Sequence, residues 1–311
     1  MTPVTNEQAY AFLQSHLPTP PQAVALIGAG AWSRCFSYRV GGVEYAIRFG
    51  AHVEDFYKDR RAAAYASPDL PIPQVLDIGE ALGGYYAIAP RAYGVPLETV
   101  DAETWRVVTP WLAAALEALR TADIAATSGL GSWDAQGRAA ASSWSQHLLA
   151  VAEDTPDLRI HGWRRKLEAG SPGGSAAFAW GFARLQQVVS DAIPRSLLHC
   201  DLINRNVLVD AGRIAAVFDW GCARYGDHLY DLAWFEFWAP WHPNLDVALL
   251  RTELERRWRQ AGYTPAALPE RLAACYLHIG LDHLAYNAHR GDWETLAATA
   301  ARMRKLVEAI G

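Results

Sequence analysis

Between Val24 and about Val100 the apolar positions fall in short runs broken by glycine and proline, the spacing of strands with one helical stretch among them. VALIGAGAW is an apolar run entering a glycine turn, and SRCFSYRV alternates with period two. The pair Gly41-Gly42 then joins it to VEYAIRF, the signature of a β-hairpin. A helix is expected from about Val53 to Ala66, ended by Pro68, and LPIPQVLDIGE and YYAIAP predict two further strands. Beyond Glu98 the pattern changes to long Ala/Leu/Trp-rich segments, which predict helices over about 102–123, 139–153 and 176–192, and again from about 229 onward. Between these, NVLVD and IAAVFD predict two short strands around an Ala-Gly turn. The expected class is α+β: a small antiparallel sheet lobe over 1–92 and a larger, mostly helical lobe over 93–311.

Composition narrows the function. With 51% hydrophobic and 20% charged residues, the 311-residue chain folds around a sizeable core and needs no metal or disulfide staple. The net charge of -5 gives no basic footprint for nucleic acid and suits a cationic partner better. Cys35, Cys200, Cys222 and Cys275 are dispersed without a CxxC pair and read as reduced thiols. The N-terminal segment lacks a signal-peptide pattern, and no run of 18 apolar residues occurs, so the expectation is a cytoplasmic protein off the membrane. No heptad seam demands a partner chain, and a monomer is expected.

The strongest chemical signal lies in LLHCDLINRNVLVDAGRIAAVFDWG. It contains H-x-D-x-x-x-x-N, with Asp201 and Asn206, and after the hairpin D-x-G, with Asp219. Phosphoryl transfer needs a carboxylate to orient or deprotonate the attacking hydroxyl, and oxygen ligands from two backbone segments to hold Mg²⁺ against nucleotide phosphates. Asp201 suits the first task, and Asn206 and Asp219 suit the second. An intervening hairpin folds the chain back, so that residues 13 apart in sequence meet. Singly, each is also an ordinary turn or cap former. The adjacent His199-Cys200-Asp201 is not read as a nucleophilic triad, whose members come from distant segments, and His199 is expected to be structural. Upstream, Gly28, Gly30 and Ser33 lie between two strand candidates where small residues let backbone N–H groups approach phosphates, although an ordinary strand turn has the same composition.

These residues, together with GAGAWSRCFSYRVGGVEYAIRFG, FYKDRR, LPIPQVLDIGE, YGDHLYDLAWFEFWAPW and HIGLDHL, resemble the aminoglycoside phosphotransferase family. The resemblance covers most of the chain and is weakest over about 125–190. It implies a bilobal protein-kinase-like fold and transfer of phosphate from ATP or GTP, with Mg²⁺, to a hydroxyl of an aminoglycoside-type antibiotic of the hygromycin B kind. On this resemblance Asp201 is the catalytic base, Asn206 and Asp219 are the magnesium ligands, and the backbone near Ala89 to Arg91 meets the purine. A kinase-like enzyme carries a lysine on its third strand, whereas this chain has Arg48 there. Arg can bind phosphate bidentately, with Asp59 its expected acidic partner and Glu54 the second choice. For a cationic sugar, Trp238 and Trp241 are stacking candidates and Glu236 and Asp282 are carboxylate candidates, although aromatic residues at helical spacing equally form core. Asp231 is expected to support the catalytic loop. The same block would serve a kinase of a macrolide, a choline-like compound or a sugar metabolite, or a non-catalytic nucleotide-binding protein.

Overall fold

The computed structural model describes residues 3–310. A helix that the apolar pattern did not announce, α1 (Asn6–His16), opens the chain, fixed by a capping box between Thr5 and Gln8. Then follow β1 (Gln22–Ala29), β2 (Ser33–Val40), β3 (Val43–Gly50), α2 (Val53–Ala62), β4 (Asp77–Ala81) and β5 (Gly84–Pro90). The five strands form one antiparallel sheet in the order β1-β2-β3-β5-β4. The β2–β3 turn uses Gly41 and Gly42 at φ 57° and 83°, which glycine adopts without penalty. Phe36, Ile47, Phe49 and Ile88 from this sheet bury against Leu13 of α1 to make a small separate core.

The expected strand LPIPQVLDIGE pairs only from Asp77 onward. Pro71 and Pro73 have no N–H to give a ladder, and residues 71–76 lie outside any strand. This stretch still serves the fold, because the carbonyl of Pro71 accepts from Val217 N at 2.8 Å and joins the lobes.

The larger lobe starts with β6 (Val95–Pro96) and α3 (Ala102–Thr121), and continues through β7 (Leu130–Trp133), β8 (Ala139–Ala141), α4 (Trp144–Leu149), α5 (Trp163–Gly170) and α6 (Pro172–Val188). It ends with β9 (Arg195–Leu198), β10 (Val207–Asp210), β11 (Arg213–Val217), β12 (Arg224–Asp227), α7 (Leu229–Trp238), α8 (Val247–Gln260), α9 (Leu268–Arg290) and α10 (Trp293–Glu308). The helix expected over 139–153 is therefore wrong in its first third. Ala139–Ala141 pairs with β7, and the helix starts only at Trp144, where the Ser143 side chain accepts from Gln146 N. Ala-rich composition favours helix only weakly, and strand pairing overrides it. Among the described residues no helix is long and apolar enough to cross a membrane.

Two small sheets position the chemistry. β10 and β11 form the expected hairpin, and β6 pairs with β10 through Pro96↔Leu208, so the chain leaving the first lobe is stitched to the HxDxxxxN loop. β12 pairs with β9, and its Asp227 makes a buried bidentate ion pair with Arg271 of α9 at 2.8 and 2.5 Å. His228 lies beside this pair, with Nδ1 facing Arg271 and Nε2 facing the Tyr263 hydroxyl. Burial pushes the His228 pKa down to about 4. The folded ring therefore stays neutral while the unfolded ring takes a proton below about 6.5, so its contribution to stability is lost as pH falls from 6.5 to 4. The expected result is that His228→Gln melts less differently from wild type at pH 4.5 than at pH 7, by roughly 1–3 kcal/mol of pH-dependent stability. Parallel pH dependences of Tm in the two proteins would contradict it.

Candidate active site

The HxDxxxxN loop is held in a conformation that its residues would not choose alone. Cys200, Asn204 and Arg205 have φ of 65°, 61° and 67°, and Asp219 has φ 65°. Such left-handed backbone is uncommon outside glycine and costs energy where no neighbour imposes it. At Cys200 it is imposed by Asp231, the third residue of α7, which accepts Cys200 N at 2.7 Å and His199 N at 3.0 Å. Burial raises the Asp231 pKa to about 6, with the two N–H bonds and Arg224 pulling the other way. The expected supporting role of Asp231 thus has a geometry.

His199 is fully buried. Its Nδ1 accepts from Asp201 N at 3.2 Å, which leaves Nε2–H to donate to the Phe218 carbonyl at 3.1 Å. Burial lowers its pKa to about 4, so the ring works as a neutral brace between the loop and the D-x-G segment. The Asn206 carbonyl accepts from Phe218 N at 3.0 Å, bringing Asn206 and Asp219 together as the hairpin spacing implies.

Asp201 sits on this floor. Its Oδ1 accepts from Asn204 Nδ2 at 2.6 Å and its Oδ2 from Asn206 Nδ2 at 3.0 Å. Burial raises its carboxyl well above the usual range, and Asp219 and Glu98 add to the rise against the two amide bonds. Asn206 also gives Nδ2 to the Asp201 carbonyl at 2.8 Å, so its amide nitrogen is spent and its Oδ1 is the group left for a ligand.

Arg48 of β3 reaches Asp59 of α2 at 2.9 Å and Asp219 at 3.5 Å. Burial works against its charge, but Asp59 and Asp219 outweigh it, and Arg48 stays cationic. Burial pushes Asp59 up, to about 6, against the pull of Arg48, which leaves the pair ionised at neutral pH. The other Asp59 oxygen accepts Trp220 N at 2.7 Å, so one carboxylate ties α2 to both β3 and the D-x-G turn. Glu54, the second choice as partner, instead meets Arg159.

Above this floor lies a cavity of about 320 Å³. Gly28, Gly30 and Ser33 line one side, Ala89 and Arg91 the edge, and Asn206 and Asp219 the base. The Gly30 N–H donates to the Ser33 carbonyl at 2.9 Å and closes the turn. The buried Nε of Arg48, which also lines the cavity, has no hydrogen-bond partner. A guanidinium N–H left free in such a place suits an anionic ligand. A larger cleft of about 870 Å³ beyond the end of α2, lined by Arg61, Arg120 and Asp123, contains none of these groups.

Of the four residues considered for the acceptor, the structure brings Trp238 and Trp241 together and leaves Asp282 apart from them, beside Arg224. Trp238 and Trp241 have ring centroids 5.2 Å apart, the Trp238 indole N–H has no partner, and Trp241 is 40% exposed. Asp282 is partly open, 4.0 Å from Arg224. Glu236 is a correction: it is buried, with its carboxylate taken by Arg251 at 2.8 Å and by the Tyr276 hydroxyl. It serves the packing of α7 against α8 and α9 and has no oxygen to offer a sugar.

Two residues that the sequence reading gave no functional role tie the lobes together. Lys58 of α2 is buried and donates to the Gly221 carbonyl and the Ser132 hydroxyl, both at 2.8 Å, and burial lowers its pKa to about 8. Arg159, between α4 and α5, binds Asp55 at 2.8 and 3.0 Å and Glu54 at 2.6 Å, and lies 5.9 Å from the Trp32 ring at the glycine turn.

A two-lobed fold that sets a carboxylate, an amide oxygen and a second carboxylate beneath such a cavity defines a phosphotransferase of the kinase-like class. The chain belongs to the Phosphotransferase enzyme family, which matches residues 37–275. It is 34% identical over 286 residues to Hygromycin-B 4-O-kinase of Escherichia coli, covering 91% of this chain and 80% of that one. Among solved structures it matches a thermostable mutant of aminoglycoside phosphotransferase APH(4)-Ia in ternary complex with AMP-PNP and hygromycin B. That match has a TM-score of 0.83 and 32% identity, and covers 97% of this chain and 98% of the other. Spectinomycin phosphotransferase APH(9)-Ia shares the fold, with a TM-score of 0.62 at 12% identity, over 99% of this chain and 98% of that one.

Proposed function

We propose that this chain transfers the γ-phosphoryl group of ATP to a hydroxyl of a cationic aminoglycoside of the hygromycin B kind. The observation that carries the reading is the placement of Asn206 and Asp219 at the base of the 320 Å³ cavity, with Asp201 bonded to Asn206 beside them. The similarity to a hygromycin-B kinase supports the acceptor class. On this reading the lobe ending at residue 92 holds the nucleotide, and the remainder carries the catalytic loop and the acceptor site.

Asp201 aligns the acceptor hydroxyl and takes its proton, with Asn204 and Asn206 fixing the carboxylate. Arg48 faces the phosphates, held by Asp59. Asn206 Oδ1 and Asp219 are hard oxygen donors in the number that Mg²⁺ takes from protein beside nucleotide phosphates, so the residues present fit that ion. Charge neutralisation on the triphosphate is the chemistry it supplies when bound. The catalytic gain comes from positioning and electrostatics.

The test is MgATP-dependent phosphate transfer across a panel of aminoglycosides including hygromycin B, with Asp201→Asn as control. Turnover of hygromycin B that vanishes in the variant supports the reading; turnover of another class of acceptor alone moves the substrate.

The Arg159 clamp allows a separate prediction. Arg159→Ala removes one of the ties between α2 and the second lobe, the one beside the glycine turn, and is expected to raise KM for ATP about 3- to 10-fold with kcat within about twofold, the scale of a partly exposed ion-pair network. Steady-state rates with ATP as the varied substrate decide this, and an unchanged KM would remove the clamp from the account.

A further inference from the structure

We infer that Glu98 is an acceptor-recognition residue, whose carboxylate binds an ammonium group of the sugar beside the catalytic loop. The inference rests on the aminoglycoside reading above and names one of its contacts.

Glu98 lies in a single helical turn, Leu97–Thr99, directly after β6. The turn is held at three points: Pro96 pairs with Leu208 of the catalytic hairpin, Leu97 is fully buried, and the Thr99 hydroxyl donates to the Pro96 carbonyl at 2.7 Å. The position of Glu98 is thus set by the same hairpin that sets Asn206. Its Oε2 is buried and has no hydrogen-bond partner, and among the described residues no Lys, Arg or His lies within ion-pair distance of its carboxylate. It is close enough to Asp201 and His242 to act on the charge of both, which places it on the rim shared by the catalytic loop and the Trp241 turn.

A carboxylate oxygen withdrawn from water without a donor is unfavourable, and Glu98 and Asp201 repel each other. A bound anion would worsen this, so the phosphates are excluded as its ligand. An ammonium group, with three donors and a full positive charge, relieves both the missing bond and the repulsion. Trp241, the residue before His242, is 40% exposed and offers aromatic surface for the sugar ring that carries such an amine.

The experiment compares wild type with Glu98→Gln and Glu98→Asp, measuring Tm without ligand and KM for hygromycin B and ATP separately. The expected result for Glu98→Gln is a KM for hygromycin B raised about tenfold, an unchanged KM for ATP, and a Tm equal to or above that of wild type, because the neutral isostere ends the repulsion. Glu98→Asp keeps the charge and recovers part of the affinity. A rise in KM for ATP instead would make Glu98 a ribose ligand and overturn the inference. So would a lowered Tm with hygromycin B kinetics unchanged, the mark of a structural residue. A wild type that turns over no aminoglycoside fails the underlying reading and takes this assignment with it, whereas active wild type with silent variants fails the Glu98 assignment alone.

Discussion

Asp201→Asn is expected to lower kcat about 10²- to 10⁴-fold, the range over which general-base groups contribute, while KM for ATP changes little. The reason lies in the partners of the carboxylate. Each oxygen accepts from an asparagine amide, Asn204 at 2.6 Å and Asn206 at 3.0 Å. An amide at position 201 loses the proton acceptor; its N–H₂ turns toward the Asn204 amide, and its oxygen keeps the bond from Asn206. Surrounding burial, with Asp219 and Glu98 nearby, raises the Asp201 carboxyl, which brings it closer to the range useful for proton transfer near neutrality. Removing that charge relieves repulsion among the three carboxylates, so the variant is expected to melt no lower than wild type. Coupled measurement of ADP production, with a thermal melt on the same preparation, separates lost chemistry from lost folding. Wild-type turnover in the variant would end the role assigned to Asp201.

What could be read in the sequence was local chemistry at fixed spacing. The Gly41-Gly42 hairpin and the pair of strands around Ala211-Gly212 fold as their turn residues require, and the second hairpin brings the HxDxxxxN and D-x-G segments together. Arg48 meets Asp59 because a strand followed directly by a helix leaves few carboxylates within reach of its side chain. The expected support from Asp231 is realised as two bonds to backbone N–H groups. What escaped depends on approach between distant segments. Lys58 bonds Gly221 across 163 positions, and Arg159 bonds Asp55 across 104, and no local spacing points to either partner. Glu236 misled because α7 is apolar on every face, so periodicity cannot say which way its one glutamate points. Only Arg251 and Tyr276, from α8 and α9, decide that. The segment 139–153 misled for the converse reason: three alanines with good helix propensity are claimed by strand pairing with β7.

The largest loss of stability is expected from Asp227→Ala. Asp227 and Arg271 are 1% and 5% exposed, with both carboxylate oxygens facing the guanidinium, and Asp227 also accepts Leu229 N at 3.0 Å where α7 begins. Forming such a pair adds little net stability, because desolvation offsets most of the attraction, but removing one partner strands a buried charge and costs about 3–5 kcal/mol. For a chain of this size that corresponds to a fall in Tm of roughly 10 °C. The effect reaches the active site through a short chain of contacts, since α7 starts at Leu229 and its Asp231 holds His199 and Cys200. Below the melting range α9 and β12 still pack, so kcat per folded molecule is expected to stay within about threefold of wild type. Replacing both partners together, Asp227→Leu with Arg271→Met, removes the stranded charge and is expected to recover at least half of the lost Tm. Thermal and urea melts of the three proteins test this. A single variant that melts within two or three degrees of wild type would mean that Arg271 finds other acceptors, such as the Ala266 carbonyl it already meets at 3.0 Å, and that the pair does not carry the start of α7.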